Sequence, residues 1–520
     1  MSVDYTSIRQ KSKKSYLSQA KDWVNHEVVA NRLNSPLGYA VMLLAALSLS
    51  LVVSVLGLKI GILLLSAIIG VPVLLASVFN LRFGLITLLI TSFFILGISR
   101  FVRDMPLGVI LDAFVACMFF GVMIKQIGSK DWRFIYNPVS VMVILWIVYN
   151  LIQVVNPAAA SRLAWLYTIR SLAGIFLVYF IAIKAINSVE FVSLIFKIWI
   201  VLALIGALYG LKQEFLGFFP AEHAWVLADE ERFSLFFNWG RFRRFSFFSD
   251  PTVFGILMAY TSILCFVLMT GPVKLYKKAA LGIAAVIMLL AMVYTGTRTA
   301  YAVVPVGVVF FTVITLKRNI ILLVGAIMLM GAAVIFSPIS SLGPLDSNAL
   351  NRIRSAFIGE EDPSYNVRLR NQEYIQPYIW SHPIGWGLGS VGVWGMRFSP
   401  GSPVANFPPD SGFVRIAVEQ GWLGLILYSI MLFVLFRYGV RNYLLCEHPK
   451  VRLYYVATLT VLFSLVVANY PQQAYAIFPT IIIFYVCMAI VVRLKDFDND
   501  EMRKLTGGIV KIPSAEKEMN

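Results

Sequence analysis

IGILLLSAIIGVPVLLASVF, residues Ile60–Phe79, runs for 20 positions without a charged side chain. As a helix, a run of that length covers about 30 Å, the thickness of a bilayer's hydrocarbon core. Lipid offers the backbone no hydrogen-bond partner, so the segment must close its own bonds as a helix. A membrane strand would alternate apolar and polar residues, and this run does not.

Comparable runs recur on either side. The apolar stretches fall at 37–56, 60–79, 83–99, 107–124, 137–155, 171–188, 191–211, 252–270, 279–295, 299–316, 319–336, 417–436, 453–470 and 474–492. They predict an all-α, polytopic transmembrane helical bundle of about 14 spans, within a range of about 12–14. The composition agrees: of 520 residues 59% are hydrophobic and 14% charged, and mean hydropathy is +0.78. A soluble chain of this length carries far more charge.

The net charge of +17 does not point to nucleic acid, because the lysines and arginines are spread over short inter-span loops. Lys125, Lys130 and Arg133, then Lys274, Lys277 and Lys278, then Lys317 and Arg318, then Arg437, Arg441, Lys450 and Arg452, then Arg493 and Lys495 mark one side. By the positive-inside rule that side is cytoplasmic. Both termini then lie in the cytoplasm, and two longer loops, 212–251 and 337–411, lie outside. The expected organisation is a cytoplasmic tail over 1–36, a bundle of about 11 spans over 37–336 that includes the smaller outer loop, a large and partly helical outer loop over 337–411, further spans over 412–492, and a polar, poorly ordered tail over 493–520. The first apolar run starts near Leu37 and is long enough to stay in the membrane, so no cleaved leader is expected. No internal repeat is visible, which speaks against a transporter built from inverted halves. None of Cys117, Cys265, Cys446 and Cys487 falls in the long loops, and only His223 and His382 of the four histidines do. Neither a disulfide framework nor a zinc site is expected.

The loop from Ser337 to Ser411 is the longest polar interruption. It holds Arg368, Arg370 and the stretch RNQEYIQPYIWSHPIGWGLG ending at Gly389, with a helix expected from Arg368 to Trp380, and it closes on PPDSGF at Pro408–Phe413. Other outward arginines precede it: Arg241, Arg243 and Arg244 in GRFRRFSFFSDPTVFG, and Arg298 in the tight turn TGTRTAY. Guanidinium groups present a fixed fork of donors that suits phosphate oxygens. Each charge-assisted bond contributes about 1.5–3 kcal/mol, so several converging would hold a diphosphate without a metal. Arginines at membrane boundaries also snorkel to headgroups; Arg298 is the exception, since it faces outward among Thr295, Thr297 and Thr299. Asp250 and Asp410 each precede a helix. Both read as N-caps, and Asp410 also as a carboxylate placed to accept a proton. Three glycines in PIGWGLG either permit close approach to a ligand or make tight turns.

In order and spacing these segments resemble the O-antigen polymerase and O-antigen ligase superfamily of bacterial inner-membrane glycosyltransferases. TGTR matches the family's small-residue turn, with Arg298 as its arginine. Arg368 stands 15 residues (383 − 368) before the Pro383 of PIGWGLG, and DSGFVRIAVEQGWLG matches the closing element, with Glu419, Gly421 and Gly424 in place. The resemblance covers about residues 240–436. It implies a multi-pass protein of the bacterial inner membrane whose large loop is periplasmic. It also implies transfer of a glycan from a polyprenyl (undecaprenyl) diphosphate to a hydroxyl of a sugar or glycolipid acceptor, with inversion, without metal or cofactor. Membrane lipid and chain-length or export proteins would be its partners, and nucleic acid would not. Arg298, Arg368 and Asp410 are the expected catalytic residues; Arg243, Arg244, Arg370, Ser411 and Gly387 are expected to contact substrate.

One departure stands out. The family's ligases carry histidine where this chain has Asp410, and asparagine where it has Ser411. A free aspartate has a reference pKa of about 3.9 against about 6.5 for histidine, so the exchange favours a polymerase or exopolysaccharide-type member over a ligase. The rival class is a flippase or other transporter, with Asp112 and Lys197 as its intramembrane charges.

Overall fold

The computed structural model describes residues 35–56, 58–100, 107–130, 132–238, 240–337, 350, 353–354 and 363–505. Residues 1–34 of the expected N-terminal tail, the acidic run Glu360–Asp362 and residues 506–520 lie outside them. The chain divides into two compact units, Met1–Leu75 and Ala76–Asn520.

The described part of the first unit is helical: α1 (Pro36–Leu56) and most of α2 (Leu58–Phe79), neither with an acid in its first turn or a base in its last. The second unit continues with α3 (Leu81–Ser99), α4 (Leu107–Ser129), α5 (Pro138–Ile152), α6 (Arg162–Ala185) and α7 (Val189–Phe215). Two short helices, α8 (Pro220–Leu227) and α9 (Glu230–Phe236), and a small hairpin, β1 (Phe237–Asn238) with β2 (Arg241–Phe242), form the first long connection. Then come α10 (Pro251–Met269), α11 (Leu275–Tyr294), α12 (Arg298–Thr315) and α13 (Arg318–Phe336). The second long connection carries α14 (Pro363–Ser381) and α15 (Gly392–Phe398), and α16 (Gly412–Leu445), α17 (Pro449–Ala468) and α18 (Thr480–Leu505) complete the chain.

Every expected span therefore coincides with a helix. Among the described residues nine helices are long and apolar enough to cross a membrane, and the chain is a multi-pass membrane protein. Local chemistry sets the helix starts. Asn80, Asn137, Ser161, Ser188 and Asp250 each cap with a side-chain oxygen that accepts a backbone N–H, and Pro138 and Pro251 occupy first-turn positions. The most enclosed helices are α10 and α17; α10 packs on α11, α12 and α17, while α17 also meets α18. Helices apolar on all sides belong at such a centre.

Several boundaries differ from expectation, among them the start of α18, at Thr480 rather than near residue 474. Helix α6 begins at Arg162 rather than near residue 171, and it keeps Arg170 inside because Asp112 on α4 lies 3.1 Å away. Helix α16 begins at Gly412 and breaks at Gly421, whose φ of 73° and ψ of 177° are not helical. The expected poorly ordered tail is overturned as far as Leu505, where α18 ends. The Asp498 carboxylate on α18 accepts the backbone N–H groups of Glu447 and His448 at 3.2 and 2.9 Å and so fills the α16–α17 turn; Arg493 Nε donates to the Ile186 carbonyl at 2.9 Å.

Candidate functional site

The segment before α16 meets α14 and the turn after α17 around a cavity of about 170 Å³. Arg368, Gln372, Asp410, Ser411, Tyr470 and Pro471 are among its walls. Arg368 Nε stands 4.0 Å from Asp410 Oδ2, with the side chains 34% and 50% exposed. That separation is an ion pair at its outer limit, too long for a hydrogen bond. Asp410 does not cap the helix. Ser411 does, through Oγ, which accepts the Val414 N–H at 3.4 Å. The Asp410 carboxylate thus has no capping duty, whereas Asp250 accepts from the N–H groups of Thr252 and Val253 at 2.8 and 3.0 Å and is a cap.

The glycine turn fixes the start of α16. Trp386 N–H donates to the Val418 carbonyl at 2.9 Å, Leu423 N–H to Pro383 at 3.1 Å, and the Tyr149 hydroxyl to Gln420 at 2.6 Å. Together these occupy carbonyls and an amide that the break at Gly421 leaves without helical partners. The two backbones touch: a Cβ on Gly385 would lie 2.4 Å from Gly421 N, and one on Gly421 would lie 2.0 Å from the Pro383 oxygen. Gly387, expected to contact substrate, is placed against Ala159 instead and does not line the cavity of Asp410. Close packing explains this stretch of glycines, with Gly385 against backbone, Gly387 against Ala159, and Gly389 against Thr168 and the Ala164 carbonyl.

A second cavity, of about 120 Å³, lies on the other side of the α16 start. Arg415 Nε donates to Glu419 Oε1 at 3.1 Å and Arg415 Nη1 to Gln473 Oε1 at 3.0 Å, while Gln473 Nε2 donates to the Pro409 carbonyl. Glu419 is buried. Arg415 and Gln473 escaped the sequence reading; the signal was the spacing of four between Arg415 and Glu419, which puts them on one helix face.

Upstream, the TGTR turn is gripped by Arg243. Its Nε donates to the Thr295 carbonyl at 2.8 Å and its Nη2 to Thr297 Oγ1 at 3.0 Å. Arg244 is engaged elsewhere, with Nε 2.6 Å from Glu214 Oε2, so its expected substrate role meets a competing carboxylate. Arg100, also missed, lies buried over the Trp225 and Phe245 rings and donates to the Ser246 carbonyl at 2.9 Å. Burial lowers its pKa to about 10, with Glu222 opposing the shift, so it stays charged and braces the first long connection. Arg370 is exposed on α14 and lines neither cavity.

Arg298, half-buried, opens α12. Helices α12 and α17 run antiparallel: Gly307 meets Ser464, and Phe310 stacks on Phe463. Arg298, the first residue of α12, therefore lies at the same end of the helix pair as the turn that follows α17. Tyr470 and Pro471 of that turn wall the Arg368–Asp410 cavity.

Residues 283–429 match the family model described as O-antigen ligase. The stretch holds the TGTR turn, α14, the glycine turn and the start of α16 that lines both cavities, and it bears out the resemblance to the O-antigen ligase and polymerase superfamily. A search of curated proteins returned no match.

Proposed function

We propose, with the O-antigen ligase match as premise, that this chain is a polymerase or ligase-type glycosyltransferase acting on a polyprenyl diphosphate-linked glycan. The acceptor is a sugar hydroxyl, and the reaction takes place at the periplasmic face of a bacterial inner membrane. The bundle crosses about 14 times with both termini cytoplasmic, which agrees with the distribution of lysine and arginine.

The observation that carries the reading is the Arg368–Asp410 pair at the lip of a cavity. Without donor, Arg368 neutralises Asp410. A diphosphate offers Arg368 more charge and a better fit to its fork, so donor binding draws the guanidinium away and frees the carboxylate. Asp410 then takes the proton of the acceptor hydroxyl as its oxygen attacks the anomeric carbon. The bond from that carbon to the phosphate oxygen breaks on the opposite face, configuration inverts, and the electron pair leaves with the polyprenyl diphosphate. Arg368, with Arg298 from the same end of the bundle, stabilises the leaving charge; Arg243 holds the turn that carries Arg298. No step calls for a metal. Arg244, Ser411 and Gly387 serve the architecture in this scheme. Aspartate in place of the family histidine favours a polymerase or exopolysaccharide-type member.

The test is turnover of a lipid diphosphate-linked oligosaccharide by the purified chain. Asp410→Asn is expected to slow transfer by about 10²–10⁴ with donor binding kept. Normal turnover by that variant would remove the carboxylate from the mechanism. A surface-polysaccharide gel of a deletion strain separates the subtypes: single units indicate a lost polymerase, long chains left on the carrier a lost ligase.

A further inference from the structure

A cavity of about 700 Å³ lies at the other end of α10 from the TGTR turn, between α7, the α10–α11 connection and the start of α17. Helix α10 has 19 residues, so about 28 Å separates the two regions. The walls of this cavity combine Lys197, Lys277 and Lys450 with Tyr276 and apolar side chains such as Ile200 and Leu204, and no carboxylate lines it.

Lys197 is the unusual member. It sits eight residues into α7 (197 − 189), one of the most apolar helices of the chain, and is exposed on its surface. An ammonium group about 12 Å inside a membrane helix must reach water or an anion. Lys277 and Lys450 come to the same cavity from two other elements. Three cations and an apolar wall in one cavity have the polarity of one ligand class. A free phosphate would use the cations and leave the wall uncovered; a neutral lipid would use the wall and leave the cations unmatched.

We propose that this cavity binds an anionic glycerophospholipid of the leaflet on the lysine-rich side of the bundle, with the phosphate among Lys197, Lys277 and Lys450 and an acyl chain along Ile200 and Leu204. The site is independent of the glycosyl-transfer reading, because it shares no residue with the Arg368–Asp410 cavity.

The experiment is native mass spectrometry of the full chain released from nanodiscs of phosphatidylglycerol mixed with phosphatidylcholine of the same acyl chains. Wild type is expected to keep phosphatidylglycerol. Each lysine removed should lower that retention about fivefold (about 1 kcal/mol per lysine near a membrane surface). Lys197→Gln alone, the mildest change, should give one such step, and Lys197→Gln/Lys277→Gln/Lys450→Gln should abolish the preference. Lys274→Gln/Lys278→Gln, next to the cavity but not lining it, should leave retention intact. Equal retention of both lipids by wild type, an unchanged preference in the triple variant, or displacement of phosphatidylglycerol by added polyprenyl phosphate would each overturn the proposal.

Discussion

Gly385→Ala should disable the site without touching it. The added methyl would lie 2.4 Å from Gly421 N, 2.5 Å from Gln420 N and 2.5 Å from Glu419 C, all of them backbone atoms. No side chain can swing aside, so the turn and the α16 start must separate. Separation breaks the bonds from Trp386 N–H to Val418 and from Leu423 N–H to Pro383, each contributing about 0.5–1.5 kcal/mol. The φ of 80° at Gly385 costs a residue with a Cβ about 1–2 kcal/mol more. The sum is about 2–5 kcal/mol, concentrated at the start of α16, which carries Arg415 and Glu419 and follows directly on Asp410. Gly401→Ala is the matched control, because nothing lies within 4 Å of its added methyl. Thermal unfolding in detergent and turnover on a lipid-linked donor, measured on both variants, read the effect. Gly385→Ala should melt several degrees lower and lose most activity, while Gly401→Ala behaves as wild type. Equal melting and equal turnover in the two would refute the claim that the glycine turn holds the site.

Further outcomes follow from the same geometry. Arg298→Ala should weaken donor binding about 10- to 100-fold, the worth of one charge-assisted contact, and unchanged donor affinity in a variant that inserts properly would exclude Arg298 from the cradle. Arg415→Ala strands Glu419, which is 1% exposed, and should destabilise by about 3 kcal/mol; adding Glu419→Gln should recover part of the loss in a melting series. Transfer should persist after treatment with a chelator, and strict dependence on added divalent cation would count against a diphosphate held by arginines alone.

The bundle was legible because a run such as Ile60–Phe79 has a single solution in lipid. What misled were charges neutralised by residues far along the chain. Arg170 reads as the edge of a span until Asp112, 58 residues earlier (170 − 112), is found beside it. The charged end of α18 reads as a loose tail because the amides that Asp498 caps belong to the α16–α17 turn. The site divides in the same way. Asp250 and Asp410 look alike, yet proline follows the first and serine the second; Ser411 takes the cap and leaves Asp410 to Arg368. The family pattern led to Arg298 and Arg368, but no local feature marked Arg244 as the partner of Glu214, or Gly387 as a contact for Ala159. Arg415 was in view and passed over, since a cation just ahead of an apolar run is ordinary in a membrane protein.

The hold of Asp498 on the α16–α17 turn bears on how sidedness is measured. Orientation is commonly mapped by fusing a reporter after each span in turn. A junction placed before residue 498 would delete the acceptor for two backbone amides that lie at the base of the very helix leading to Asp410. Its signal would report a bundle already disturbed. Reporters joined beyond Leu505, or inserted into connections of the intact chain, avoid that confusion.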